Sequence, residues 1–127
     1  MTAVLTFASP PPGLAPLVDF ILDDVAGAAG IYALHAASDP GIRLYVLDAA
    51  VYLPWYTPEI TDEQALGLGI GIPDDAMVLV VANASEAGTT TNLMAPIVVN
   101  AKTGRCAQLI LEGQDWPIRA ELTARSA

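Results

Sequence analysis

The chain has 127 residues, 54% apolar and 15% charged, with fourteen Asp and Glu against five Lys and Arg for a net charge of −9. One domain, 1–127, is expected, since a chain of this length buries roughly two-thirds of its unfolded surface and folds without covalent staples. The acidic field repels phosphate backbones and argues against direct nucleic-acid binding, and with Cys106 as the single cysteine no intrachain disulfide exists.

The opening "MTAVLTFASPPPG" carries no basic stretch, and prolines cut its apolar run short, so no signal peptide is expected. The first strand is expected over 3–7, ending at the "SPPPG" turn (9–13). Further strands follow at 17–22, 31–36, 43–48 and 50–53, with turn signals at "DDVAGAAG" (23–30) and "SDPG" (38–41). Then the pattern changes. In "TDEQALGLG" Thr61 stands at an N-cap position with Gln64 three residues on, a capping box that starts one short helix over about 62–68. Asp62 and Glu63 occupy its positive end, and Gly67 and Gly69 can stop it. Strands resume at 76–83, 92–100 and 105–111, with "KTG" (102–104) as the hairpin loop between the last two. Gly104 is free there to take a positive φ, and Pro96 fits a bulge or an edge. The longest uncharged runs, 25–38 and 87–101, contain Gly, Asn, Thr or His, and no membrane span is expected.

These elements make an all-β domain, a small antiparallel β-barrel-like fold with one short helix. The late strands have no polar face. Ala107, Leu109 and Leu111 alternate with Cys106, Gln108 and Ile110, and Ile97 and Val99 alternate with Val98 and Asn100. A closed barrel fills its interior with one set, so the other is either covered by additional chain or left as an apolar patch.

Catalytic candidates are sparse. Cys106 lies mid-strand among Ala, Gln and Leu with no base nearby, the pattern of a buried structural thiol. His35 is the only histidine and has no companion ligands for zinc. The pairs Asp23–Asp24 and Asp74–Asp75 suit solvated turns and miss the spacing of a calcium loop, although an acid–base hydrolase using two distant carboxylates remains a reading. "GLGIGIP" (67–73) follows a helix and runs into a proline, the reverse of a phosphate-binding loop. No metal or cofactor is implied.

More suggestive is "DAAVYLPWYTPEI" (48–60), where Tyr52, Trp55 and Tyr56 lie between Asp48 and Glu59. Its prolines suit an edge strand or a strand leaving the sheet. Two of the three rings are expected in the core and one at the surface, as an anchor for a protein partner.

The order "SDP", "YVLDAAVYLPWY", "LGLGIGIPDDAMVLVVAN" and "TTNLMAPIVVNAKTGRCAQLIL" resembles the flagellar assembly factor FliW family. The family's late strand, basic hairpin and closing "Q-x-I-L" correspond to "TNLMAPIVVN", "AKTGR" and "QLIL", with Asn92, Leu93, Ala95, Pro96, Ile97 and Asn100 matching. Asp48, Pro54 and Tyr56 match an earlier motif, whereas Ala49 and Ala50 stand where the family usually has Pro and an aromatic, and Trp55 where it often has an acid. The resemblance spans about residues 5–119 and is specific in its C-terminal half. It implies a β-barrel-like, non-enzymatic, monomeric cytoplasmic protein that binds flagellin and the translational repressor CsrA, two partners that compete for it. A flagellin-only chaperone is the alternative that the altered 49–55 segment keeps open. Asp48, Tyr52, Trp55, Tyr56 and Glu59 are the expected partner-binding residues; Asn92, Pro96, Asn100 and Gly104 are a structural signature. A net charge of −9 would attract a basic repressor and disfavour RNA beside it. The same acidity also serves plain solubility.

Overall fold

The computed structural model describes residues 2–8, 10, 14, 16–25, 30–39, 41–53, 55–56, 58–72, 75–85, 88–111, 113–116 and 120–121. Most of the proline turn at 9–13, the turn residues 26–29, Pro54 and Asp74 lie outside them.

Along the chain run β1 (Thr2–Phe7), β2 (Asp19–Asp24), β3 (Ile31–Ala36), β4 (Arg43–Asp48), α1 (Ala49–Tyr52), α2 (Asp62–Gly67), β5 (Ala76–Ser85), β6 (Gly88–Thr91), β7 (Ile97–Asn100), β8 (Arg105–Gln108) and β9 (Ala120–Glu121). The sheet order is β4-β3-β2-β1-β8-β7-β5-β6-β9, and β4 also pairs with β5. That extra ladder, Tyr45↔Ala82 to Asp48↔Leu79, closes β1–β5, β7 and β8 into a seven-stranded barrel. An odd number of strands cannot alternate direction all the way round, so one neighbouring pair must be parallel. It is β1 with β8, joined at Thr6↔Arg105 and Phe7↔Cys106, and the other six pairings are antiparallel as expected.

Two apolar clusters result from the alternation. The barrel interior holds Leu5, Phe7, Phe20, Leu34, Val46, Leu79, Ile97, Val99 and Cys106, with Phe7 and Phe20 edge-to-face at 5.2 Å. The opposite face of β4 and β5 supplies Leu47 and Val80 to a second cluster outside the wall. There Ala49, Leu53, Tyr56, Leu93 and Leu111 cover them. All four residues of β7 are buried, as a strand covered on both faces requires. Additional chain therefore covers the second apolar set in this region.

Several expectations need correction. Residues 50–53 are not a strand: Ala49–Tyr52 form a helical turn, because the Asp48 carboxylate accepts from the Ala50 N–H at 3.0 Å and caps it. Among the described residues from 49 to 60 there is accordingly no strand. The expected strand 92–100 divides: the Asn92 side chain accepts from the Met94 N–H at 3.0 Å and turns the backbone, leaving 97–100 as β7. Pro96 sits immediately before β7, where its missing N–H breaks no ladder, and its carbonyl accepts from Leu109 at 2.9 Å. The strand expected to Leu111 ends at Gln108, and β6 and β9 were not anticipated. Asp23 and Asp24 end β2 rather than sitting in a turn.

The short helix stands as expected. Thr61 and Gln64 make both capping-box bonds, at 3.0 and 2.9 Å. The Ile70 N–H reaches the Ala65 carbonyl at 2.9 Å and the Gly69 N–H the Leu66 carbonyl at 3.0 Å, a Schellman stop with Gly69 at φ 72°.

Candidate functional site

The aromatic segment leaves the barrel at β4 and crosses the outer cluster. Asp48, half-buried, ends β4 and caps α1. Half-buried Tyr52, on α1, lies against the Gly30 turn, where an added Cβ would meet the Tyr52 ring at 3.0 Å. Trp55 and Tyr56 then take opposite roles. Tyr56 is 7% exposed, its hydroxyl donates to the Leu93 carbonyl, and its ring meets the Trp116 ring edge-on at 4.7 Å. Burial pushes its phenol well above the ordinary tyrosine range. Trp55 is 59% exposed, with its ring 6.4 Å from that of Tyr56. Of the three rings, then, one is buried, one half-buried, and Trp55 faces solvent.

Glu59 points outward, but its backbone is clamped. Its N–H donates to Gln114 Oε1 at 2.9 Å, and Gln114 Nε2 donates back to its carbonyl at 3.0 Å. The Trp116 indole N–H donates to the same Gln114 Oε1 at 3.2 Å. The 113–116 segment thus straps the aromatic loop onto the barrel, and sequence reasoning passed over both residues. The one local signal was a tryptophan in the polar turn "EGQDW", a ring that needs somewhere to pack.

Asp48, Ala49, Leu53 and Tyr56 share a recess of about 420 Å³ with Val78 and Met77 of β5. The structure therefore gathers Asp48, Tyr52, Trp55, Tyr56 and Glu59 onto one side of the barrel and leaves Trp55 and Glu59 as its exposed side chains.

The signature residues lie in the framework. Buried Asn100 donates to the Leu68 carbonyl at 2.9 Å and accepts from the Lys102 N–H at 2.9 Å, tying the end of α2 to the β7–β8 hairpin. Gly104, at φ 81°, lies so close to β1 that an added Cβ would come within 2.4 Å of the Val4 carbonyl oxygen.

Among the described residues the catalytic candidates do not converge. The Cys106 thiol is enclosed in the barrel, and burial pushes its pKa up to about 12, far from a nucleophile's range. His35 Nδ1 lies 3.5 Å from the Asp23 carboxylate on the outer wall. Asp23 and Asp24, as strand neighbours, point to opposite faces. Asp75 pairs with Lys102 at 3.4 Å. Among the described residues no group of His, Cys, Asp and Glu could hold a metal ion, and no helix is long and apolar enough to cross a membrane.

A family model described as FliW protein matches residues 1–122. The flagellar assembly factor FliW of Clostridium kluyveri is 31% identical over 121 residues, covering 94% of this chain and 83% of that protein. That of Syntrophus aciditrophicus is 35% identical over 90 residues, 69% of this chain, and the match spans 57% of that longer protein. A crystal structure of the flagellar assembly factor FliW superposes with a TM-score of 0.87 at 22% identity, over 98% of this chain and 88% of that one, a likeness of fold.

Proposed function

The chain belongs to the FliW family of flagellar assembly factors, and from that premise we propose that it binds flagellin and antagonises a CsrA-type translational repressor by partner switching. It acts in the cytoplasm, as a monomer and without catalysis. Accumulating flagellin occupies the factor and frees the repressor to silence flagellin translation. Once flagellin is exported, the factor takes up the repressor again and translation resumes. The observation that carries this is the family match across residues 1–122.

Physical features support the switch. A net charge of −9 speeds encounter with a basic repressor and lowers the local affinity of that repressor for phosphate. The partner-binding residues are Asp48, Tyr52, Trp55, Tyr56 and Glu59: Trp55 and Glu59 make contact, while Asp48, Tyr52 and buried Tyr56 hold the loop that presents them. A flagellin-only chaperone is the second reading. It is favoured by Ala49 and Ala50, which place two small side chains at the start of α1 where the family usually has a proline and an aromatic.

The experiment is calorimetric titration with purified flagellin and, separately, with the repressor from the same genome. Two saturable 1:1 complexes that exclude each other, with flagellin binding weakened by Trp55→Ala, are expected. Binding of flagellin alone selects the chaperone, and binding of neither defeats the proposal.

A further inference from the structure

Trp55 lies between α1 and α2, where the described residues form no strand. A stretch of that kind has no ladder to hold it, and ordering it on contact with a partner costs affinity. Two anchors bracket the ring. On one side the Tyr56 N–H closes on the Leu53 carbonyl at 2.9 Å, and the Tyr56 ring is buried in the outer cluster. On the other side stands Glu59. Among the described residues its two bonds to Gln114 are the only hydrogen bonds that reach the main chain between Tyr56 and Thr61.

The path of the chain aims Gln114 at that point. Leu111 is buried, and its N–H donates to the Met94 carbonyl at 2.9 Å. Gly113, at φ 77°, turns the chain, and the Gln114 N–H closes the turn on the Leu111 carbonyl at 3.2 Å. The Gln114 side chain then meets Glu59 as a neighbouring strand would, accepting from its N–H and donating to its carbonyl. The Trp116 indole N–H donates to the same Oε1 and fixes which way round the amide stands, since a reversed amide would set its NH2 against two donors. Trp116 is held in turn by its ring contact with Tyr56 at 4.7 Å. The anchors on either side of Trp55 are thus joined through Gln114 and Trp116.

We propose that Gln114 is a positioning residue for partner binding. It holds the Glu59 main chain, so that the exposed indole of Trp55 meets a partner already ordered, and it does so without touching the partner. This rests on the reading of Trp55 as a flagellin contact.

The test uses two variants of the full chain, each checked for folding by its thermal melt. Gln114→Met keeps the length and shape of the side chain and removes its three side-chain hydrogen bonds, whereas Gln114→Glu keeps the two accepted ones and loses the donated one. In Gln114→Met the Glu59 amide should lose its protection from hydrogen exchange while the barrel amides keep theirs. Backbone order parameters at Trp55 and Glu59 should fall from about 0.85 to below about 0.6. In calorimetric titration with purified flagellin, Gln114→Met should bind about tenfold more weakly and Gln114→Glu about threefold. Added to Trp55→Ala, Gln114→Met should weaken binding by no more than about twofold, since an absent ring has nothing to position. A merely structural role would lower both backgrounds equally. Failure of the unaltered protein to bind flagellin removes the partner reading and the proposal with it. Where flagellin binds, equal affinity of Gln114→Met and the unaltered protein overturns the positioning role alone. So do unchanged exchange at Glu59 and losses that add to that of Trp55→Ala, which would make Gln114 a contact in its own right.

Discussion

Gly104→Ala tests whether the parallel seam of the barrel rests on a missing side chain. Gly104 has φ 81°, a conformation that costs an alanine roughly 1–2 kcal/mol. The new Cβ would also stand 2.4 Å from the Val4 carbonyl oxygen, a backbone atom of β1 that cannot swing aside as a flexible side chain could. Relief requires β1 and the 101–104 turn to separate. That motion strains the Thr6 N–H bond to the Gly104 carbonyl at 2.9 Å and the Ala8 N–H bond to the Cys106 carbonyl at 2.8 Å. Each is worth about 1 kcal/mol net, so the total loss is about 3 kcal/mol. Per-residue unfolding entropies give a domain of this length about 0.27 kcal/mol per kelvin at its midpoint, and the melting temperature should fall by about 10 °C. Urea unfolding should show a lower midpoint at unchanged slope. Gly71→Ala is the control: apart from its chain neighbours no described residue comes within 4 Å of an added Cβ, and its stability should stay within about 1 kcal/mol of the original. If Gly104→Ala melts with that control, the seam does not depend on the close approach.

Three other outcomes follow from the same structure. Tyr56→Phe leaves the Leu93 carbonyl without its hydroxyl donor and should cost about 1–3 kcal/mol in urea unfolding while the fold is retained. Burial raises the Cys106 pKa from 9.0 to about 12, so the native state holds the proton after the unfolded state has lost it. Its stabilising contribution is complete below pH 9 and is lost as pH rises toward 12, so alkaline melts should flatten in Cys106→Ala and native Cys106 should resist thiol reagents until unfolding. Trp55→Ala should change stability by less than about 0.5 kcal/mol, because its ring is mostly in solvent, and should raise the dissociation rate of a bound partner instead.

The barrel was legible where alternation and turn chemistry agree. Strands 31–36 and 43–48 occur at the expected positions, and the capping box starts α2 at Asp62 as expected. Where two local preferences compete, the sequence alone was ambiguous. Val51, Tyr52 and Leu53 favour a strand by side-chain shape, yet the Asp48 carboxylate two residues before Ala50 captures an N–H and starts a helical turn. The same holds at Asn92, whose amide ends what reads as one continuous apolar strand. The candidate site was half visible. The aromatic cluster announced itself by composition, but which ring faces solvent depends on Trp116 and Gln114. Gln114 reaches Glu59 across 55 residues of chain, and no local pattern encodes that contact. Leu66 and Ile72 read as ordinary apolar positions flanking a helix stop, and only the path of the chain leaves them uncovered.

In the proposed function, charge and apolar surface divide the work of binding. At physiological ionic strength a surface charge is felt over roughly 8 Å, so a net −9 shapes approach and excludes phosphate near the surface while adding little to the lifetime of a complex. Lifetime depends on desolvated apolar contact. A tryptophan presents roughly 200 Å². With 59% of Trp55 exposed, about 120 Å² is open to be covered, which at about 25 cal/mol per Å² is worth about 3 kcal/mol, or a hundredfold in affinity. Leu66 and Ile72 are further apolar side chains left mostly in solvent. Glu59 follows Trp55 along the chain, its side chain exposed and its backbone pinned by Gln114. The Gln114 clamp therefore fixes the backbone at the end of the segment that carries Trp55.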